Sequence, residues 1–363
     1  DSTGAISPAI YMSSTFTHPG LGETTGFQYT RESNPTRDRL ETLIAGLEEG
    51  TDAIAFSSGM AAVDAVFHLF SPGDHVILGD DLYGGSIRLF TNIYEKNGVE
   101  FTYVGTSDLD AVQAAFKPNT KAVYIETPTN PMMEITDVRA LSKMAHDRNA
   151  LVIVDNTFLS PYFQKPLHLG ADIVVHSGTK FIGGHHDVIS GFTIVKDDEL
   201  AAQLRLIYKT VGACLSAFDS WLVIRGIKTL ALRMEQHQKN AIALAEWLKQ
   251  EPKVTKVLFP GLPDHPGYEV NKSQTTGFGG MLSFEVDSEE TAKQVLEGIQ
   301  LIQFAESLGG TESLLTYPVT QTHPDLKPED AERKGITRRL LRLSVGIEDT
   351  DDLIADLAQA FNK

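Results

Sequence analysis

The sequence predicts an α/β fold: a mostly parallel sheet with helices on both faces, followed by a smaller C-terminal α+β domain. Three observations carry this. Short apolar runs without polar alternation recur through the first half of the chain, as strands buried on both faces require. Stretches of helical period separate them, which is the rhythm of a parallel sheet. From about residue 232 the texture changes, and Pro252, Pro260, Pro263 and Pro266 cluster with Gly261 and Gly267. A chain of 363 residues is long enough for two domains, and no internal repeat or low-complexity tract interrupts it. We place an extended arm at 1–31, a large domain at 32–231 and a small domain at 232–363.

The arm is rich in Ser, Thr, Gly and Pro and has no period of its own. A helix is expected over Thr36–Glu49, with Leu40, Leu43, Ile44 and Leu47 on one face. Ala53–Phe56 reads as a short buried strand, and Gly59–Phe70 as a helix that turns Val63, Val66, Phe67 and Phe70 inward. Ser71-Pro-Gly-Asp74 is a turn by composition. The strand His75–Leu78 and the helix Ser86–Asn97 follow. Strands are then expected at Phe101–Val104, Ala122–Ile125 and Leu151–Val154, with helices at Leu109–Phe116 and Val138–Asn149 between them. Asp172–Val175 and Phe192–Val195 are further short strands. A long helical stretch, Ala217–Gln250, is broken near Arg225-Gly226. Beyond the proline-rich loop come a strand at Met281–Val286, a helix at Glu289–Gly298, a strand at Leu340–Val345 and a last helix at Asp349–Phe361.

A net charge of −17 argues against a nucleic-acid or anionic-membrane surface, which would need clustered Lys and Arg. No apolar run is long enough to cross a membrane. The single cysteine, Cys214, excludes an intrachain disulfide framework and suits a reducing compartment, so a cytoplasmic location is expected. We read Cys214 as a packing residue. The chain opens at Asp1 rather than Met, which is compatible with missing native residues, and no signal peptide is visible.

In an open parallel sheet, ligands sit beyond the carboxyl ends of the strands, and several polar groups fall there. Ser57-Ser58-Gly59-Met60 follows a strand and opens a helix, a setting whose free N–H groups suit a phosphate. It is neither a P-loop nor a dinucleotide GxGxxG fingerprint, so a nicotinamide oxidoreductase is disfavoured. Tyr83, in Asp80-Asp-Leu-Tyr-Gly-Gly85, either stacks on an aromatic cofactor and exchanges a proton, as a catalytic residue, or is a surface residue beside a turn. Glu126-Thr-Pro-Thr-Asn130-Pro131 offers the Asn130 amide to a ring hydroxyl. Asp155 ends an apolar strand, where a carboxylate needs a strong partner; a pyridinium N–H is one, and a helix cap or turn is the plainer alternative. Ser177 and Thr179 can bind phosphate oxygens while the Lys180 amine bonds an aldehyde carbon. Together these groups are what pyridoxal 5'-phosphate (PLP) needs: a Schiff-base lysine, and an acid that keeps the ring nitrogen protonated. His185-His186-Asp187 is poorly spaced for one metal ion, and no metal site is expected.

These residues fall within motifs that resemble the Cys/Met metabolism family of PLP enzymes, the cystathionine γ-lyase and cystathionine γ-synthase group. The motifs are Tyr29-Thr-Arg31-Glu-Ser-Asn34-Pro-Thr, Ser58-Gly-Met-Ala-Ala, Tyr83-Gly-Gly, Glu126-Thr-Pro-Thr-Asn130-Pro, Val154-Asp-Asn-Thr, Ser177-Gly-Thr-Lys180, Ala305-Glu-Ser-Leu-Gly-Gly and Leu341-Arg-Leu-Ser-Val-Gly. The resemblance runs from Tyr11 to Phe361. It implies the type I fold of PLP-dependent transferases and a homotetramer, a dimer of dimers with active sites at the dimer interface. It further implies that Lys180 holds PLP, that Asp155 binds the ring nitrogen and that Tyr83 stacks on the ring. Ser177, Thr179, Gly59 and Met60 would hold the phosphate, with Tyr29 and Arg31 reaching the phosphate of the neighbouring subunit. Asn130 would lie near the ring hydroxyl and the substrate. Arg342 would clamp the substrate α-carboxylate, assisted by Ser307, with Glu306 also at the substrate.

Within the family, Glu306 is an acid where γ-acting members usually carry one and bacterial β-lyases tend to have an aromatic residue. Gly85 stands where methionine γ-lyases typically have cysteine. Gly184-His185-His186-Asp187 departs from the usual Gly-His-Ser-Asp, and His186 is expected to pack; Thr311 replaces a usually apolar residue. The expected substrate is a small sulfur amino acid. The expected reaction is α,γ-elimination of L-cystathionine to L-cysteine, 2-oxobutanoate and ammonia, with β-elimination as a side reaction. Cystathionine γ-synthase, acting on an O-acylhomoserine and cysteine, and cystathionine β-lyase are the alternatives.

Overall fold

The computed structural model describes residues 3–322 and 328–363. Its larger sheet has seven strands: β1 (Asp52–Phe56), β2 (His75–Gly79), β3 (Glu100–Val104), β4 (Thr120–Glu126), β5 (Leu151–Asp155), β6 (Ile173–Ser177) and β7 (Gly191–Val195), in the spatial order β1-β7-β6-β5-β4-β2-β3. The pairs from β6 through β3 are parallel, and β7 runs antiparallel to both of its neighbours. Strands β2 and β7 are buried along their whole length, as their mostly apolar, non-alternating sequences require, with His75 and Thr193 buried among them. One apolar cluster fills each face of this sheet, which makes it the mostly parallel, helix-covered sheet the sequence predicts.

A second sheet is built from β8 (Val254–Leu258), β9 (Met281–Val286), β10 (Gln303–Phe304), β11 (Leu314–Thr316) and β12 (Leu340–Ser344), ordered β10-β11-β12-β9-β8. It packs on the helices Leu230–Leu248, Glu289–Gly298 and Thr350–Phe361 around a core of its own.

Some elements differ from expectation for physical reasons. Helix α1 (Pro35–Glu48) starts at a proline behind an Asn34 cap, whose side chain accepts from Thr36 N and Arg37 N. Of its expected apolar face Leu40 and Ile44 are fully buried, but Leu43 is exposed, and Arg37, Glu41 and Glu48 are buried as well. Those charges have distant partners. Arg37 donates to Thr30 O and Leu215 O, and Glu41 accepts from Ala55 N and Arg205. The helix expected at Ser86–Asn97 is a short α-helix, Gly84–Leu89, that runs on into a π-turn, Phe90–Tyr94. The helix Asp198–Val211 is additional; it buries only Ala201, Leu204 and Tyr208, and exposed Leu206 and Val211 blur its period. Strands β8, β10 and β11 are also additional, being short or rich in exposed polar residues. The break in the long helical stretch falls between Ile227 and Leu230.

Candidate active site

The carboxyl ends of β1, β4, β5 and β6 open on a cleft of about 390 Å³, closed on its other side by the segment 306–308 and by β12. It gathers Gly59, Met60, Tyr83, Asn130, Asp155, Ser177, Thr179, Lys180, Glu306, Ser307 and Arg342. Tyr29 and Arg31 are elsewhere. Tyr29 pairs with Thr15 in the arm and is half exposed, and the Arg31 guanidinium lies near its ring and donates to Lys209 O.

Helix α2 (Gly59–Phe67) opens into the cleft. Its Ser58 cap accepts from Ala61 N, and Gly59 and Met60 form the first turn, where a helix leaves N–H groups unpaired. A Cβ on Gly59 would lie 2.9 Å from the Cβ of Ser177, so glycine lets α2 and the end of β6 meet. Gly191 answers to the same constraint, since its Cβ would lie 2.1 Å from Ser58 O. The Thr179 hydroxyl is already engaged, donating to Ser190 O and accepting from Ser190 N.

Lys180 follows β6 in a tight turn, and its Nζ donates to Ser307 Oγ at 2.7 Å. Burial, with the nearby Arg342 charge, lowers its pKa from the usual range to about 8, while Glu306 acts in the opposite direction. The segment opposite is held against it: Ser307 is left-handed at φ 81, and a Cβ on Gly309 would lie 2.7 Å from Phe181 N. Tyr83 caps the helix Gly84–Leu89 with its backbone N–H on Glu126 Oε2 at 2.8 Å. Its ring lies over Gly85, where a Cβ would come within 2.4 Å.

Asp155 sits beside Glu126 in the β4–β5 register. Its Oδ1 accepts both the Thr157 hydroxyl at 2.5 Å and the Thr157 N–H at 3.0 Å. Its Oδ2 has only the Tyr124 hydroxyl, at 3.4 Å. Burial raises the proton affinity of Asp155, and raises that of Glu126 further because Asp155 stands beside it. Thr157 is the residue that sequence reasoning left without a role. Its hydroxyl also accepts Ser177 N–H at 2.9 Å, so one side chain ties the ends of β5 and β6 together.

Arg342, on β12, is buried, and none of its partners is an anion. It donates to Asn130 Oδ1 at 2.8 Å, Ser307 O at 2.9 Å and Thr316 Oγ1 at 3.2 Å, and Nε has no partner among the described residues. Burial lowers its pKa to about 10. A buried guanidinium with spare donors calls for a carboxylate. The buried oxygen of Asp155 likewise calls for a cationic N–H, and the α2 N-terminus for a phosphate. PLP supplies the last two groups and leaves the first for an amino acid.

Such a cleft at the carboxyl edge of a helix-covered sheet defines a PLP-dependent enzyme that acts on amino acids. The family model described as Cys/Met metabolism PLP-dependent enzyme matches residues 1–362, and the chain belongs to that family, with PLP as its cofactor. It is 48% identical over 361 residues to a cystathionine beta-lyase of Lactococcus lactis, covering 99% of this chain and 95% of that one. It is 51% identical over 360 residues to a cystathionine gamma-synthase of Haemophilus influenzae, covering 99% and 93%. A crystal structure of cystathionine gamma-lyase from Lactobacillus plantarum, complexed with L-serine, superposes with a TM-score of 0.97 at 47% identity, over 99% of this chain and 94% of that chain. Among the described residues no helix is long and apolar enough to cross a membrane.

Proposed function

We propose that the protein is a cystathionine γ-lyase, releasing L-cysteine, 2-oxobutanoate and ammonia from L-cystathionine. The observation that carries this reading is Glu306, an acid beside Ser307 and close enough to Lys180 for its charge to bear on the amine.

When bound, PLP supplies an electron sink for charge developing at the substrate α-carbon. The residues around it do the rest. Arg342 binds the α-carboxylate with its spare donors, while Asn130 and Ser307 O hold the guanidinium in place. That fixes which α-substituent faces Lys180. Lys180 Nζ, once free, takes the α-proton and returns it at another carbon; a pKa near the working pH suits both transfers. Ser307 Oγ, accepting from Nζ at 2.7 Å, keeps the amine aimed. For γ-departure a second proton must leave Cβ, and Lys180 is the base within the cleft. Tyr83 would stack on the ring, and Gly59, Met60 and Ser177 would hold the phosphate, joined by Thr179 once its hydroxyl turns from Ser190 O.

Tyr29 and Arg31, being outside this chain's own cleft, would serve the cleft of a neighbouring copy in a homotetramer. The division into an arm at 1–31, a cofactor-binding domain at 32–231 and a small domain at 232–363 belongs to the same reading, as does a cytoplasmic location. A product assay on L-cystathionine tests the activity. 2-Oxobutanoate with cysteine is the expected result. Pyruvate with homocysteine assigns a β-lyase, and no cleavage, with condensation of an O-acylhomoserine and cysteine, assigns a γ-synthase.

A further inference from the structure

Beside the reaction cleft lies a second one, of about 800 Å³. The two share Thr179, Ile189, Glu306 and Ser307 as walls, so a long molecule can occupy both. The far part of the second cleft carries His186 and Glu312, with His186 Nε2 3.8 Å from Glu312 Oε2. The imidazole has a fixed seat. A Cβ on Gly310 would lie 2.0 Å from its Nε2, so the ring rests on the Gly310 backbone. The next glycine back, Gly309, is packed against Lys180, where a Cβ would lie 3.0 Å from the Lys180 carbonyl carbon. One short segment therefore carries Ser307 at the Lys180 amine and Glu312 at His186.

We infer that His186 and Glu312 bind the second amino-acid head of a two-headed thioether substrate, the head that departs with the sulfur. The inference rests on the reading of the substrate as a sulfur amino acid. That head is a zwitterion. Glu312 can accept from its ammonium, and an imidazole N–H can donate to its carboxylate. At 3.8 Å the two side chains are too far apart to satisfy each other with a hydrogen bond; Glu312 Oε2 accepts from the Thr311 hydroxyl at 3.0 Å, which leaves Glu312 Oε1 and the imidazole for a ligand. The other titratable groups lining the cleft are His185, Asp187 and Glu306, and this excess of carboxylates favours an ammonium. A one-headed substrate such as homocysteine reaches Arg342 and Lys180 without meeting the pair.

The test compares L-cystathionine with L-homocysteine in the holoenzyme and in His186→Ala and Glu312→Gln, using KM from steady-state kinetics and Kd from spectral titration. In each variant the cystathionine-to-homocysteine ratio of both constants should rise about tenfold, the loss of one charge-assisted hydrogen bond. A ratio that stays within about twofold of the parent in both variants overturns the site, whatever happens to absolute rates. Product analysis of the parent enzyme is a separate readout: pyruvate in place of 2-oxobutanoate removes the γ-lyase reading and leaves the site standing. If the parent protein does not bind cystathionine, the site falls with that reading.

Discussion

At the scale of single residues, chemistry depends on how few options each polar atom has left. Thr157 occupies one oxygen of Asp155 and leaves the other facing the cleft, with a single long contact. Thr157→Val keeps the shape and the N–H but removes the hydroxyl. It should weaken PLP binding by about 1–2 kcal/mol and shift the pH titration of the bound cofactor's absorbance. Thr157→Ser should restore both, and equal PLP affinity in all three proteins would remove this role. Lys180 invites a second measurement. Its pKa near 8 means that the reactive amine dominates above that pH in the cofactor-free protein. The rate of PLP uptake should therefore fall about tenfold for each pH unit below 8 and level off above it. A rate still climbing toward pH 10 would mean an unshifted lysine, and Lys180→Ala should take up no cofactor covalently.

At the scale of elements, the sheet was legible because its strands are apolar runs that stop at polar residues. Asp155 and Ser177 were found for that reason, each at the last position of its strand. Helices were less legible where burial follows charge pairing instead of apolar period. Glu48 is fully buried on α1, and its Oε1 receives both His176 Nε2, from β6, and Asn156 Nδ2, just past β5, more than a hundred residues away. No local pattern announces such a partner. Thr157 was in view within its motif, but its role depends on a neighbouring strand. The junction of α2 with β6 and β7 makes a sharper prediction. Gly191→Ala would place a methyl 2.1 Å from Ser58 O, and the obstacle is backbone. The α2 N-terminus must move, so PLP affinity should drop at least about tenfold while far-ultraviolet circular dichroism stays near that of the parent. Unchanged cofactor affinity would show that α2 has more room than its packing indicates.

At the scale of the whole molecule, pH should act through buried groups that do not line the cleft. His237, on the helix Leu230–Leu248, is fully buried, and its Nδ1 meets the Val345 carbonyl. Burial and the Arg233 charge lower its pKa to about 4. Its folded form therefore binds fewer protons than the unfolded chain between about pH 4 and 6.5, and stability is lost as pH falls through that window. The loss is on the order of 3 kcal/mol. Asp81, raised by burial to about 6, has the opposite sign and offsets part of it. Melting temperatures from pH 7 to 4 should fall more steeply in the parent than in His237→Asn; parallel curves would assign the slope to other groups.

Arg342 is rooted in the second sheet, yet its guanidinium grips Asn130 in a loop of the first, and Ser283 reaches Pro131 O across the same seam. An amino acid seated on that guanidinium adds a clasp across a seam that the apolar cluster of Phe158, Phe163, Phe181, Met234, Leu258 and Met281 already closes. Saturating ligand at a hundred times its Kd adds about 2.7 kcal/mol to the native state. Because the clasp spans the seam, that increment is felt by both halves at once, and heat should melt them in a single step.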